Sequence, residues 1–176
     1  ENFVCSIIKY NYDEKALDLY EQFDDNNLFV FAKTNLVDSI VGYRLITKYG
    51  IGNISDYWVN VYSDTEKRIS SYLKELDRVA DLFNEKNIPL VALKNSGIAR
   101  AIYPYPGLVP MGDVDTLVRR SDFINAHNIL INNGYKIFSP DKYHVADVNS
   151  GYRTGGNEYC TVLGDKKELR FELQWR

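Results

Sequence analysis

The chain has little cysteine, no long apolar run and no marked excess of charge of either sign. Cys5 and Cys160 are the only cysteines in 176 residues. They are too few and too far apart for a disulfide framework or a thiolate metal site, which predicts a reducing, cytoplasmic setting. No apolar stretch approaches the roughly 20 residues that span a bilayer, so no membrane helix is expected. Phe3 to Ile8 is too short for a secretory leader and lacks its basic start. A formal net charge of −3 gives no general attraction for nucleic acid or anionic lipid, and nucleic acid is therefore not a favoured partner. There is no internal repeat and no low-complexity tract. The rest is ordinary: 45% hydrophobic and 26% charged residues, as in soluble globular proteins. The chain opens on Glu1 rather than Met and stops at Arg176 directly after a strand pattern. It is expected to be a trimmed piece of a longer protein, with a C-terminal domain or partner chain outside it.

The first half reads as helices. Ala16, Leu17, Leu19, Tyr20 and Phe23 mark a short helix, and Asp24-Asp25-Asn26-Asn27 is expected to end it as a turn. Asn35 to Lys48 carries Leu36, Ile40, Tyr43 and Ile46 at helical spacing, with Gly50 and Gly52 as the stop. Ser63-Asp64-Thr65-Glu66 matches a capping box, in which Ser63 and Glu66 satisfy two orphan N–H groups. Ile69, Tyr72, Leu73, Leu76, Val79, Ala80 and Phe83 then form one apolar stripe.

Beyond Lys86-Asn87 the period shortens. Ile88 to Leu93 reads as a strand covered on both faces, and Ser96 as the cap of a short helix. Tyr103 to Pro110, with its prolines, must be a loop. Val114 to Arg119 is a second strand, followed by a helix capped by Ser121 or Asp122 and closed by Asn133-Gly134. Tyr135 to Phe138 is a third strand, and Ser139 to Asn157 a long loop. Glu158 to Leu163 and Lys167 to Trp175 form a hairpin around Gly164-Asp165. In its second arm Leu169, Phe171, Leu173 and Trp175 share one face, and Arg170, Glu172 and Gln174 the other. The fold class is thus α/β (α+β), a small mixed sheet with flanking helices, with residues 1–87 as a helical N-terminal region and 88–176 as the α/β core.

Chemistry gathers in three places. Asp113 and Asp115 stand one residue apart in an extended run, so alternation should place both on one face of a strand. Glu172 is a charge set among apolar strand residues, where it needs a partner. Carboxylates held together repel each other unless a cation or proton intervenes, and an all-oxygen set selects Mg²⁺ or Mn²⁺. Lys94-Asn95-Ser96-Gly97 follows a strand and opens a helix, the arrangement of a phosphate cradle. His144 in the long loop, and Arg170 and Gln174 beside Glu172, are accessory candidates. His127 reads as a packed structural histidine, Cys160 as a small buried apolar residue, and Tyr103 and Tyr105 as packing residues.

Taken together, Leu93-Lys94-Asn95, Met111-Gly112-Asp113-Val114-Asp115-Thr116-Leu117-Val118 and Leu173-Gln174-Trp175 resemble a bacterial family of uncharacterised nucleotidyltransferases in the DNA polymerase β-like superfamily. The resemblance implies a nucleotidyltransferase-like fold and metal-dependent transfer of a nucleoside monophosphate from an NTP, such as ATP, to an acceptor, with release of pyrophosphate. It implies Asp113, Asp115 and Glu172 as catalytic metal ligands, and Lys94, Asn95, Ser96 and Gly97 as the nucleotide-binding segment. Three positions depart from the family pattern. Asn95 replaces a usual glycine, Leu108-Val109-Pro110 stands where an arginine is common, and Gln174 replaces a closing histidine. These departures fit one alternative, a nucleotide- or partner-binding module with little turnover; a further reading is a toxin/antitoxin-type transferase, the same chemistry acting on tRNA or protein.

Overall fold

The computed structural model describes residues 2–9, 11–12, 14–139, 147–164 and 168–176. His144 and the Asp165 of the hairpin turn lie outside the described residues. The chain divides into two compact units, Glu1–Ser70 with Tyr103–Pro110, and Ser71–Ile102 with Met111–Arg176.

The first unit is helical. It contains α1 (Asn2–Ile7), a 3₁₀ segment over Glu14–Gln22, α2 (Asp25–Thr34), α3 (Asp38–Tyr49) and the first half of α4 (Asp56–Asn84). Its core joins Phe3, Val4 and Ile7 of α1 to Leu17, Leu28, Ala32, Val41, Leu45 and Trp58, all buried. Two readings of the sequence are corrected here. The polar run after Phe23 is no turn: Asp24 is an N-cap whose carboxylate accepts from the Asn27 N–H at 2.8 Å, and Asp25, Asn26 and Asn27 form the first turn of α2. Acidic and amide side chains suit a helix N-terminus as well as a turn, and the apolar Leu28-Phe29-Val30-Phe31-Ala32 behind them supplies the burial.

Nor does the long helix begin at Ser63. It starts at Asp56, with the Tyr57 N–H donating to Ser55 Oγ at 3.3 Å, so Ser63 and Glu66 lie in helix interior. Burial of Trp58 outweighs the cap signal, because the apolar face already runs through that residue. The loop Tyr103–Pro110 belongs to this unit. Its Gly107 carbonyl accepts from buried Ser39 Oγ, and a Cβ on Gly107 would meet the Tyr62 ring at 2.6 Å.

The second unit carries the sheet: β1 (Val91–Ala92), β2 (Val114–Leu117), β3 (Lys136–Ile137), β4 (Gly156–Val162) and β5 (Glu168–Gln174). The spatial order is β1-β2-β5-β4-β3. Among the described residues only β2 and β5 are parallel, so the sheet is mixed as expected. Leu169, Phe171 and Leu173 are buried, while Arg170, Glu172 and Gln174 on the other face stay half-buried, the alternation read in the sequence. Phe83, Val79 and Leu76 of α4 and Phe123, Ala126 and Leu130 of α6 (Phe123–Asn132) complete the core. Each of these side chains larger than alanine contributes about 1.5–3 kcal/mol by leaving water.

Two expectations fail in this unit. The first strand is a two-residue edge with Val91 52% exposed, not a segment covered on both faces, because β1 has β2 as its one neighbour. The stretch read as a long loop contains α7 (Val148–Thr154), capped by the Asp147 carboxylate on the Ser150 N–H at 2.7 Å and closed by Gly155 in the left-handed region. Polar composition hid it, since Asn, Ser, Gly and Thr are weak helix formers that the two caps compensate.

Candidate functional site

The site lies within the second unit, where β1 hands the chain to α5 (Lys94–Ala101) and where β2 meets β5. Regular pairing does most of the positioning. In the parallel register Asp115 stands directly opposite Glu172, so the two carboxylates project side by side from neighbouring strands. The Asp115 peptide is held at both ends. Its N–H donates to Ser96 Oγ at 2.8 Å, and its carbonyl accepts from the Leu93 N–H at 2.9 Å. Thr116 Oγ1, wholly buried, donates to the Glu172 carbonyl at 2.8 Å and locks the second strand to the first.

The two acids differ in surroundings. Asp115 keeps 4% of its side chain exposed, Glu172 37%. Burial holds the Glu172 carboxyl above the usual carboxylate range; its hydrogen bond with Asp115 adds to the effect, against the opposing Gln174 amide and Lys94 ammonium. Lys94 Nζ lies 2.6 Å from Asp115 Oδ1 and 3.4 Å from Glu172 Oε2, a single ammonium spanning both acids. The hydrogen bond to Asp115 pushes that ammonium's pKa above its ordinary value.

Lys94 reaches this position from an uncommon backbone. Its φ is +46°, a left-handed conformation that a side chain with a Cβ adopts at a cost of about 1–2 kcal/mol. The next turn is equally tight. A Cβ on Gly97 would lie 2.9 Å from the Ala92 carbonyl oxygen, so the start of α5 packs directly on β1. Ser96 is no N-cap. It is a buried residue inside the helix, and Leu93 occupies the cap position without a side-chain bond.

Asp113 behaves differently from Asp115. The strand begins at Val114, so alternation does not extend to Asp113, which sits exposed in the bend that leads into β2. Among the described residues no group of three or more His, Cys, Asp or Glu side chains is disposed to hold a metal ion. The structure thus brings Asp115, Glu172 and Lys94 together, with Gln174 two residues on along the same face of β5. Asn95 follows Lys94 in the first turn of α5.

Arg170 is engaged elsewhere, with Glu168 at 2.6 Å and Glu158 at 3.1 Å, and covers the Phe138 ring. His127 bonds the buried Tyr159 hydroxyl through Nδ1 at 2.9 Å and is held below the usual imidazole range by burial. Cys160 is free and half-buried rather than fully covered. Tyr105 packs 5.3 Å from the Tyr43 ring in the helical unit.

Reading the residues alone assigned Lys94 to phosphate and missed it as partner of both acids. It also missed Ser96 as the clamp on Asp115. The spacing gave no sign of the first, because it depends on one dihedral angle. The second had a signal, a small hydroxyl two residues after the strand-to-helix corner.

The arrangement is a pair of hard oxygen donors beside a helix N-terminus with a mobile-length cation between them. No match is found among the curated proteins, and no helix of the described residues is long and apolar enough to cross a membrane. A family model described as "Uncharacterised nucleotidyltransferase" matches residues 21–176, which include the whole acid pair, the Lys94 corner and most of the helical unit. This chain belongs to that nucleotidyltransferase family.

Proposed function

We propose that the protein transfers a nucleoside monophosphate from an NTP to an acceptor hydroxyl or amine and releases pyrophosphate, using Mg²⁺ or Mn²⁺. The observation that carries the reading is the register that sets Asp115 against Glu172. Two carboxylates side by side, one of them almost fully buried, form an anionic pair that a hard divalent ion fits by charge and donor type. Asp115 and Glu172 would hold the ion, and Asp113, exposed in the bend ahead of β2, would have to turn toward it to join them. When bound, the ion neutralises triphosphate charge and favours ionisation of the acceptor.

The chain's own groups do the rest. The first turn of α5, Lys94 to Gly97, would offer the phosphates backbone N–H groups and, once released from the acids, the Lys94 ammonium; the Gly97 N–H itself is taken by the Leu93 carbonyl at 3.2 Å. The acceptor oxygen or nitrogen bonds the α-phosphorus while the bond from that phosphorus to its bridging oxygen breaks, and the electron pair leaves with pyrophosphate. Glu172, the more exposed of the acids, takes the proton that the acceptor loses. Positioning and charge neutralisation suffice for this step, and no covalent nucleophile is required.

The test is incubation with labelled ATP, GTP, CTP and UTP, Mg²⁺ or Mn²⁺, and cell extract. Label should enter an acceptor with pyrophosphate released, and the Asp113→Asn, Asp115→Asn double variant should abolish it. Nucleotide binding without pyrophosphate release would favour the binding-module alternative, and labelling that survives the double variant would defeat the mechanism.

A further inference from the structure

The Lys94 ammonium cannot serve both halves of the site at once. It is a compact point charge on a four-carbon stem, and in this structure it is committed to Asp115 and Glu172 rather than to the face of α5 where phosphates would lie. Its side chain is 62% exposed while that of Asp115 is 4% exposed. The lysine therefore reaches inward from solvent to an acid that has no other ion pair among the described residues. Its bond to Asp115 at 2.6 Å is the shorter of the two, so it sits over the more desolvated oxygen. The left-handed backbone at Lys94 is the second sign of a fixed purpose. That strain persists because Ser96 and Leu93 clamp the corner on both sides to the Asp115 peptide, and the clamp starts the side chain beside the acids.

We propose that Lys94 is the resident counter-ion of the Asp115–Glu172 pair and excludes a divalent cation until a nucleotide arrives. The triphosphate then draws the ammonium off the acids, and the cation takes the place it leaves. Cation and nucleotide enter as one, by displacement. The inference rests on the reading of the acid pair as a metal site and adds an order to its filling. The like-charge repulsion between the acids is relieved in either state, by a monocation before binding and by a dication after it. By linkage, whatever affinity the nucleotide gains from an incoming cation the cation gains from the nucleotide.

The test is Mn²⁺ binding to the nucleotide-free full chain, followed by the paramagnetic resonance of the free ion. Lys94→Met removes the charge and keeps the bulk, and it should bind Mn²⁺ about tenfold or more tightly than the unaltered protein. Lys94→Arg keeps the charge and should bind as weakly as the unaltered protein. Adding Glu172→Gln to Lys94→Met should erase the gain. If Lys94→Met binds no more tightly while Glu172→Gln alone still weakens Mn²⁺ binding, the displacement idea falls and the metal site stands. Equal tightening in Lys94→Arg would also overturn it, by tracing the effect to backbone strain rather than charge. If no form binds Mn²⁺, with or without a non-hydrolysable nucleotide, the displacement idea and the metal site fall together.

Discussion

Each unit holds a carboxylate out of full solvent contact, and the two solve the problem in opposite ways. In the helical unit Asp25 Oδ1 accepts from the Tyr20 hydroxyl and from Trp58 Nε1, both at 2.6 Å. Two neutral donors satisfy one acid, both are anchored in the core, and no exchange of partners is on offer. In the sheet unit Asp115 faces Glu172, a second acid, and has an exposed lysine as its ion-pair partner. The first arrangement is closed and serves stability. The second sets two acids side by side around one exposed ammonium on a strained backbone, as expected where function rather than stability sets the residues.

That contrast breaks most visibly in a pair of substitutions. Asp25→Ala leaves the Tyr20 hydroxyl and the fully buried Trp58 without their acceptor and should lower stability by about 3 kcal/mol, read from urea unfolding. Turnover per folded molecule should be unchanged. Asp115→Asn should do the reverse. It removes a repulsion along with an ion pair whose lysine is mostly exposed, so stability should stay within about 1 kcal/mol of the parent. Nucleotide turnover should fall on the order of 10²–10³-fold. Should Asp115→Asn unfold the protein while sparing turnover in what remains folded, the acid pair is structural and the comparison is wrong.

A smaller effect sharpens the geometry of the site's other half. Gly97→Ala pushes a methyl against the Ala92 carbonyl, a backbone atom that cannot rotate away, and should cost about 1–3 kcal/mol. Gly112→Ala, with nothing within 4 Å of its added carbon, should change stability by less than about 0.5 kcal/mol. Equal losses at the two glycines would mean that α5 does not press on β1 as described.

The same division explains what could be read from the chain beforehand. The acid opposite the acid was legible because it follows from strand periodicity: Leu169, Phe171 and Leu173 turn inward, so Glu172 must turn the other way. The stripe from Ile69 to Phe83 was legible for the same reason, with a period of 3.6. Element ends were not. Ser63–Glu66 carries a complete cap signature in helix interior, because the burial of Trp58 one face earlier extends the helix past it. Asp24–Asn27 carries a turn signature at a helix start, because the same side chains satisfy either kind of free N–H. Least legible was Lys94. Nothing in a lysine announces a positive φ, so neither its strain nor the acids it reaches could be read off the spacing. The strand placement of Asp113 was misread at the same level, since alternation was extended one residue past where the strand begins.

The finest test compares two acids of the sheet unit by their response to pH in the presence of a chelator. Burial alone would raise the Glu75 carboxyl, but the Arg78 guanidinium at 2.7 Å and the Tyr135 hydroxyl at 2.6 Å outweigh it and hold Glu75 below the usual range. The unfolded chain then binds more protons at Glu75 than the folded one, so its contribution is present above the ordinary carboxyl pKa and is lost as pH falls through the depressed one. Glu172 lies the other way. Its raised pKa makes the folded protein the better proton binder, so its stability contribution is greatest in acid and declines as pH rises through the raised value. Urea unfolding from about pH 3 to pH 7 should therefore show Glu172→Gln gaining on the parent as pH rises, and Glu75→Gln losing ground over the same range. Each slope is bounded by one proton, about 1.4 kcal/mol per pH unit. Slopes of the same sign would remove the distinction between an acid whose partners stabilise its charged form and one whose burial beside a second acid disfavours it.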